Sequence, residues 1–190
     1  MKSKTVKDLM VPLSEYATVS EDATLYEAVM ALRRAQEEFD QTRDRHRAIL
    51  VYNKFDKIVG KISQLDVLHS LEPKYGEMGD GPMTRFGLSR YGFSPKFMRT
   101  MMSQFNLWEK SLEESCRIAG KLKVKDIMYT PTLGEFVEDT ASLSVAIHQL
   151  LLGHHQSLLV TRRRDIVGIL RLTDVFREVS LTFERIGKPG

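Results

Sequence analysis

Ser63 and Asp66 stand three residues apart in the phrase IVGKISQLDVL (58–68). Arg171, Thr173 and Asp174 occupy the matching stretch of a second phrase, IVGILRLTDVF (166–176). Both phrases read Ile-Val-Gly, an apolar-rich run, an Asp six residues after the Gly, then two apolar residues. A hydroxyl followed three residues later by a carboxylate is an ordinary way to start a helix, because both groups satisfy backbone N–H donors that lack a partner there. The other reading is a polar binding site at a strand-to-helix turn. The recurrence of the phrase in register raises that reading to stand level with capping, and both stay open.

Other chemistry-bearing residues form no familiar constellation. His148, His154 and His155 are spaced as His-x5-His-His across a predicted helix end, which matches no known metal motif, so no metal is expected. Ser, His and Asp residues fall in no nucleophile motif, and no Gly-rich phosphate loop occurs. The chain is therefore not expected to be an enzyme. Cys116 is the single cysteine and lies on the apolar stripe of a predicted helix, which reads as a packed thiol. One cysteine allows no internal disulfide, and a reduced, cytoplasmic protein is expected. The start, MKSKTVKDLM, lacks a signal-peptide core. No apolar run approaches the roughly 20 residues that span a membrane.

The formal net charge is +3. The tight basic clusters are RDRHR (43–47) and RRR (162–164), the latter between two strand-like runs and so read as a solvated turn. Arg85, Arg90, Lys96 and Arg99 have no acid among them, but they form no basic stripe of the kind nucleic-acid binders concentrate, and nucleic acid is not the expected partner.

The elements that position the two phrases are also repeated. VKDLM (6–10) recurs as VKDIM (124–128), and Val19, Leu25 and Ala28 match Val137, Leu143 and Ala146 at the same spacing. AILV (48–51) corresponds to SLLV (157–160). The first copy is longer by about ten residues, most of them in EEFDQTRDR, between a helix and a strand, where loops absorb insertions at little entropic cost. Each copy predicts a short strand ending near Val19 or Val137, then a helix. Thr24 and Glu27 make a capping box in the first and Ser142 is the cap in the second. Leu25, Ala28, Val29 and Leu32, and Leu143, Ala146, Ile147 and Leu150, make the apolar faces, with Gly153 as a stop. Two strands follow, 47–52 with 57–63 and 156–161 with 165–171, then a helix from Leu65 or Thr173. The expectation is an α+β fold of two pseudo-symmetric β-α-β-β-α units, each roughly 60 residues and too small to bury a core alone.

The chain then divides into repeat one (1–71), an insert (72–121), repeat two (122–180) and a tail (181–190). The Gly-, Pro- and aromatic-rich first part of the insert predicts no regular structure. Ser94-Pro95 is a helix start. Phe97, Met101, Phe105, Trp108, Leu112, Cys116 and Ala119 recur in steps of three and four, predicting one long helix over about 94–119, on the order of 35–40 Å. That stripe either covers the protein's own core or packs on a second subunit.

The order VKDLM, TVSEDATLYEAVMAL, HRAILV, IVGKISQLDVL, with its second version VKDIM, VEDTASLSVAIHQLL, SLLV, IVGILRLTDVF, resembles a tandem pair of cystathionine-β-synthase (CBS) domains, a Bateman module. The resemblance implies two clefts between the repeats that take AMP, ADP, ATP or S-adenosylmethionine as regulatory ligand, with no required cofactor. It also implies a stand-alone regulatory module, a homodimer, and an unidentified protein partner that reads a conformational change. The family's Gly-x-x-Ser/Thr-x-x-Asp pattern falls on Gly60, Ser63 and Asp66, where the hydroxyl and helix-start amides would hold phosphate and the carboxylate the ribose hydroxyls. His46 and Arg47 resemble a phosphate-contacting His-Arg pair. In repeat two Gly168 and Asp174 keep their places, Arg171 replaces the hydroxyl, Thr173 is displaced, and His155-Gln156 stands for His-Arg. Arg171 then pairs with a phosphate, or bridges Asp174 and closes the site, or points to solvent. A ligand-free dimerisation or scaffolding module, with the insert helix as interface, is the alternative.

Overall fold

Each repeat borrows its first segment from the other. In the computed structural model, which describes residues 4–38, 47–77 and 94–187, Val6–Asp8 forms a 3-10 turn and Val124–Ile127 (α6) one helical turn. Val6 N donates to Ala141 O at 2.9 Å and Lys7 N to Asp139 O at 2.9 Å. In the same way Val124 N donates to Ala23 O at 2.9 Å and Lys125 N to Glu21 O at 3.0 Å. Val6 is thus buried in the core of repeat two, with Val137, Ala146, Leu158 and Leu170. Val124 is buried in the core of repeat one, with Val19, Ala28, Ile49 and Ile62. Neither core is complete without the other repeat, as expected for units this small.

The exchange continues into the sheets. β1 (Val11–Pro12) pairs antiparallel with β7 (Asp165–Arg171), placing Val11 opposite Ile169. The pseudo-equivalent bridge joins Tyr129 to Lys61 in β4 (Ile58–Ser63). One sheet has the order β1, β7, β6 (Ser157–Arg162), β5 (Phe136–Glu138), the other β2 (Thr18–Ser20), β3 (Ala48–Tyr52), β4. In each, a short strand, β2 (Thr18–Ser20) or β5 (Phe136–Glu138), runs parallel to the first strand of a hairpin, β3 (Ala48–Tyr52) or β6 (Ser157–Arg162). The hairpin registers slip at matching places, after Val51 and after Val160. A third cluster, Val11, Tyr16, Leu50, Leu159 and Ile169, joins the two sheets.

The repeated Ile-Val-Gly owes its glycine to this crossing. A Cβ on Gly168 would lie 2.5 Å from Val11 O, and one on Gly60 would lie 2.6 Å from Met128 Sδ and 3.1 Å from Tyr129 O. The borrowed segment passes so close that only a hydrogen fits.

Helices α1 (Leu25–Glu38) and α7 (Leu143–Gly153) follow the short strands, and α2 (Gln64–Ser70) and α8 (Leu172–Gly187) follow the hairpins. The Thr24–Glu27 box is present, with Thr24 N donating to Glu27 at 2.7 Å. Ser142 does precede α7, but its hydroxyl lies against Ser144 Oγ at 2.8 Å instead of capping. The Arg162–Arg164 turn places Arg163 and Arg164 at φ 52° and 84°, the left-handed pair that suits the twist of a tight hairpin.

Several expectations change. The stretch 94–119 is two helices, α4 (Pro95–Gln104) and α5 (Leu112–Ala119), with Asn106 and Trp108 between them at φ 48° and 60°. Ser94 and Pro95 start α4 as foreseen, and Ser111 caps α5 by accepting from Glu114 N at 3.2 Å. The break is held from outside, because buried Glu72 accepts from Trp108 N at 2.7 Å and Lys74 Nζ donates to Asn106 O at 2.6 Å. Lys74 belongs to α3 (Lys74–Glu77), a short helix in a part of the insert predicted to lack regular structure. With the stripe broken, Cys116 is exposed on α5, not packed. The tail from 181 continues the last helix, since α8 runs unbroken to Gly187.

Candidate functional site

β4 ends and α2 begins at Ser63, and the hydroxyl-carboxylate pair closes on itself there. Asp66 N donates to Ser63 Oγ at 3.2 Å, while Ser63 N and Oγ both donate to Asp66 Oδ2 at 2.7 Å. The capping reading is realised, and both Ser63 donors meet one carboxylate oxygen. Gln64 N donates to Arg47 O at 3.0 Å. That bond sets exposed Arg47 beside the helix start. His46 lies outside the described residues.

The second junction has the same backbone and different chemistry. Leu172 N donates to Gln156 O at 2.9 Å, the counterpart of Gln64 to Arg47. Arg171 Nε donates to Asp174 Oδ2 at 2.7 Å and Nη2 to Oδ1 at 2.5 Å. The two side chains are 6% and 11% exposed. Of the three readings for Arg171, the bridge to Asp174 is the one observed. Thr173 sits half-buried in the first turn of α8.

Tyr16 stands between the repeats and was not singled out by the sequence. Its hydroxyl is pushed up to about 12, chiefly by burial, with the Arg171 charge lowering it, Asp174 raising it, and a hydrogen bond from the Ala48 backbone lowering it. Ala48 pairs with Ser63 across β3 and β4. One aromatic side chain therefore touches the edge of repeat one and feels the ion pair of repeat two.

A second unforeseen cluster flanks Asp66. Glu135, 2% exposed, accepts from Lys61 Nζ at 2.5 Å, from Tyr129 Oη at 2.6 Å and from Thr132 N at 3.1 Å. Burial alone would raise the Glu135 carboxyl, but those hydrogen bonds and the Lys61 charge outweigh it and hold the group below its ordinary value. Tyr129 is raised, first by its bond to Glu135 and then by burial, with Asp66 contributing through its charge. The Lys61 ammonium also lies 5.1 Å from the Tyr129 ring centroid. This cluster ties β4 of repeat one to the 3-10 turn Leu133–Glu135 of repeat two. Two sequence signals point to it: Lys61 is a lone charge inside the apolar strand IVGKIS, and Thr132-x-x-Glu135 has capping-box spacing.

Among the described residues no three His, Cys, Asp or Glu gather where a metal could bind. No helix among them is long and apolar enough to cross a membrane.

The sequence pattern of the CBS domain matches residues 6–73 and 124–181, the two repeats with their exchanged leading segments. The chain belongs to the CBS domain family. Its fold is similar to that of CBSX2, solved in complex with AMP, at 20% identity and TM-score 0.57 over 95% of this chain and 98% of that one. A CBS domain-containing protein of Bacillus anthracis is similar at 16% identity and TM-score 0.61, covering 94% of each chain. A putative acetoin utilization protein, AcuB, of Vibrio cholerae is similar at 16% identity and TM-score 0.58, over 98% of this chain and 99% of that one. No curated protein matches the chain by sequence. At these identities the structures establish the CBS-pair fold, and the stretch between 73 and 124 lies outside the two matched CBS segments.

Proposed function

We propose that the chain is a regulatory CBS pair that binds one adenosine-type ligand, AMP, ADP, ATP or S-adenosylmethionine, at the junction of Ser63 and Asp66. Asp66 would accept the ribose hydroxyls, and Ser63, Arg47 and His46 would meet the phosphate. One observation carries this reading. Asp66 is held on a single oxygen by its own helix cap, a contact that ligand hydroxyls can join, whereas Asp174 is held on both oxygens by a buried guanidinium. The Arg171–Asp174 pair, with Thr173 beside it, then closes the second junction. CBSX2, which spans the same architecture, is solved with AMP, and that supports the ligand class. Ligand binding shifts the populations of two inter-repeat arrangements, and a protein partner reads the shift. The chain acts without catalysis and in the cytoplasm.

Thermal unfolding against each of the four compounds tests the proposal. A ligand at 100 times its dissociation constant stabilises by about 2.7 kcal/mol. Asp66→Ala is expected to abolish the shift. No shift with any compound at millimolar concentration sinks the proposal.

A second reading has its own observation. Leu68 on α2 and Phe176 on α8 occupy equivalent positions and are 57% and 68% exposed, with Leu65 at 74%. Apolar faces of this kind suit a homodimer acting as a scaffold with no ligand. Sedimentation of Phe176→Glu against wild type separates the two readings, since a ligand response that survives in a monomer rejects the scaffold.

A further inference from the structure

The repeats differ most where the segment ahead of each leading turn meets the repeat's last helix. In repeat one the chain fills that place itself. α5 buries Ser115 and Ala119, 5% and 2% exposed. It runs through Gly120 to Leu122, whose carbonyl accepts from Leu25 N at 2.8 Å, while Gly120 O accepts from Tyr26 N at 3.2 Å. Ser115 and Ile118 of α5 and Ser70, Leu71 and Lys74 line a residual cavity of about 220 Å³.

Repeat two has the same floor. Lys4 corresponds to Leu122, Leu143 to Leu25, Glu178 and Val179 to Ser70 and Leu71, and Thr182 to Lys74. The matching backbone bond is present, with Leu143 N donating to Lys4 O at 3.2 Å. Among the described residues, however, no helix covers this floor. It is an open groove of about 860 Å³, walled by Leu143, Val179, Phe183 and Ile186. Phe183 and Ile186 are 71% and 75% exposed. Glu178 is gripped at the floor by Lys4 Nζ at 2.5 Å and Arg185 Nη2 at 3.2 Å, two cations against one anion.

We propose that this groove is the docking site for an amphipathic helix of a partner protein, seated as α5 is seated in repeat one. The internal copy defines the occupant. It presents two small residues four apart, as Ser115 and Ala119 do, with an aliphatic residue beside them in the place of Ile118. Its C-terminal end falls at Lys4, because α5 ends against the equivalent Leu122. The Lys4 ammonium complements the partial negative charge of helix-end carbonyls. This is helix-in-groove recognition, in which apolar anchors on one face supply affinity. The groove and Asp174 share α8, so an occupant bears on the same helix that carries the Arg171 ion pair. The inference stands whether or not a nucleotide binds.

The probe is a fluorescein-labelled peptide of residues 109–121, the chain's own α5. A lactam between Glu113 and Arg117→Lys, both on its exposed face, keeps so short a segment helical. The peptide is titrated with the full chain and followed by anisotropy. Saturable binding is expected, weakened about tenfold or more by Phe183→Glu and by Ile186→Glu. Both side chains are exposed, so both variants are expected to melt with the wild type. The proposal fails if the peptide does not bind, if a scrambled peptide binds equally, or if neither variant weakens binding. It also fails if the wild-type chain self-associates, Phe183→Glu abolishes the association and no peptide binds, since the groove then belongs to a second copy.

Discussion

Arg171 holds Asp174 in a two-pronged grip, Nε to Oδ2 at 2.7 Å and Nη2 to Oδ1 at 2.5 Å, with both side chains nearly removed from solvent. Their counterparts in repeat one, Ser63 and Asp66, make a hydroxyl-to-carboxylate cap at 2.7 Å. The same strand-to-helix turn is thus built as an ion pair in one repeat and as a cap in the other.

Removing one partner of a buried pair leaves the other charge uncompensated. Arg171→Ala is expected to cost about 3–5 kcal/mol, read as a lower urea midpoint. Arg171→Ser rebuilds the Ser-x-x-Asp cap and is expected to recover about 1 kcal/mol of that loss. In calorimetric titration with AMP the serine variant is expected to bind two ligands per chain where the wild type binds one. Unchanged stoichiometry would show that Arg171 is not what closes the second junction.

The Lys61–Glu135 pair predicts an acid limb. Glu135 is held below its ordinary value of 4.5, so its contribution is fully present above that pH and is lost as pH falls through the lower value of the folded state. Lys61→Met strands the buried carboxylate and is expected to cost about 3–5 kcal/mol at neutral pH. The gap between variant and wild type is expected to narrow below pH 4.5 as Glu135 takes up a proton. Denaturant melts at a series of pH values measure this, and a gap independent of pH would count against the pair.

The two repeated glycines are expected to differ in tolerance. A Cβ on Gly168 meets rigid backbone at Val11 O, whereas the nearest atom to one on Gly60 is the flexible Met128 side chain. Gly168→Ala is expected to destabilise by about 1–3 kcal/mol or more, and Gly60→Ala by less. Equal melting temperatures for the two variants would overturn the ranking.

Glu72 is expected to govern the break between α4 and α5. Its carboxyl is held low, chiefly by the hydrogen bond from the Trp108 backbone. Trp108 Nε1 also donates to Tyr75 Oη at 3.0 Å. Glu72→Ala releases the left-handed Trp108 backbone and is expected to red-shift the emission of this only tryptophan. An unchanged spectrum would mean that the break holds without Glu72.

Much of the fold was legible because the repeat could be read twice. The strands around AILV and SLLV, the helices after Thr24 and Ser142, and the strands through Gly60 and Gly168 with the helices that follow them all follow from short-range periodicity. The periodicity predicts one long insert helix where the structure has two, for a physical reason. A stripe in steps of three and four is the same whether one helix carries it or two, and the break at Asn106 and Trp108 depends on Glu72 and Lys74 from another element. Ser111-x-x-Glu114 was the local signal of a second start.

The sequence by itself determined that there are two β-α-β-β-α units, that a Ser or an Arg stands three residues before each helix Asp, and that repeat two departs from the pattern of repeat one. These are matters of residue type and local spacing. Only the tertiary structure decided that the leading segments cross to the opposite repeat, that Arg171 turns inward to Asp174, that Lys61 finds Glu135, and that α5 fills in repeat one a groove that no described helix fills in repeat two. Arg171 and Asp174 are only three residues apart, but their pairing depends on burial, and the other outcomes join residues far apart in the chain, where burial and hydrogen-bond satisfaction, not local propensity, select the partner.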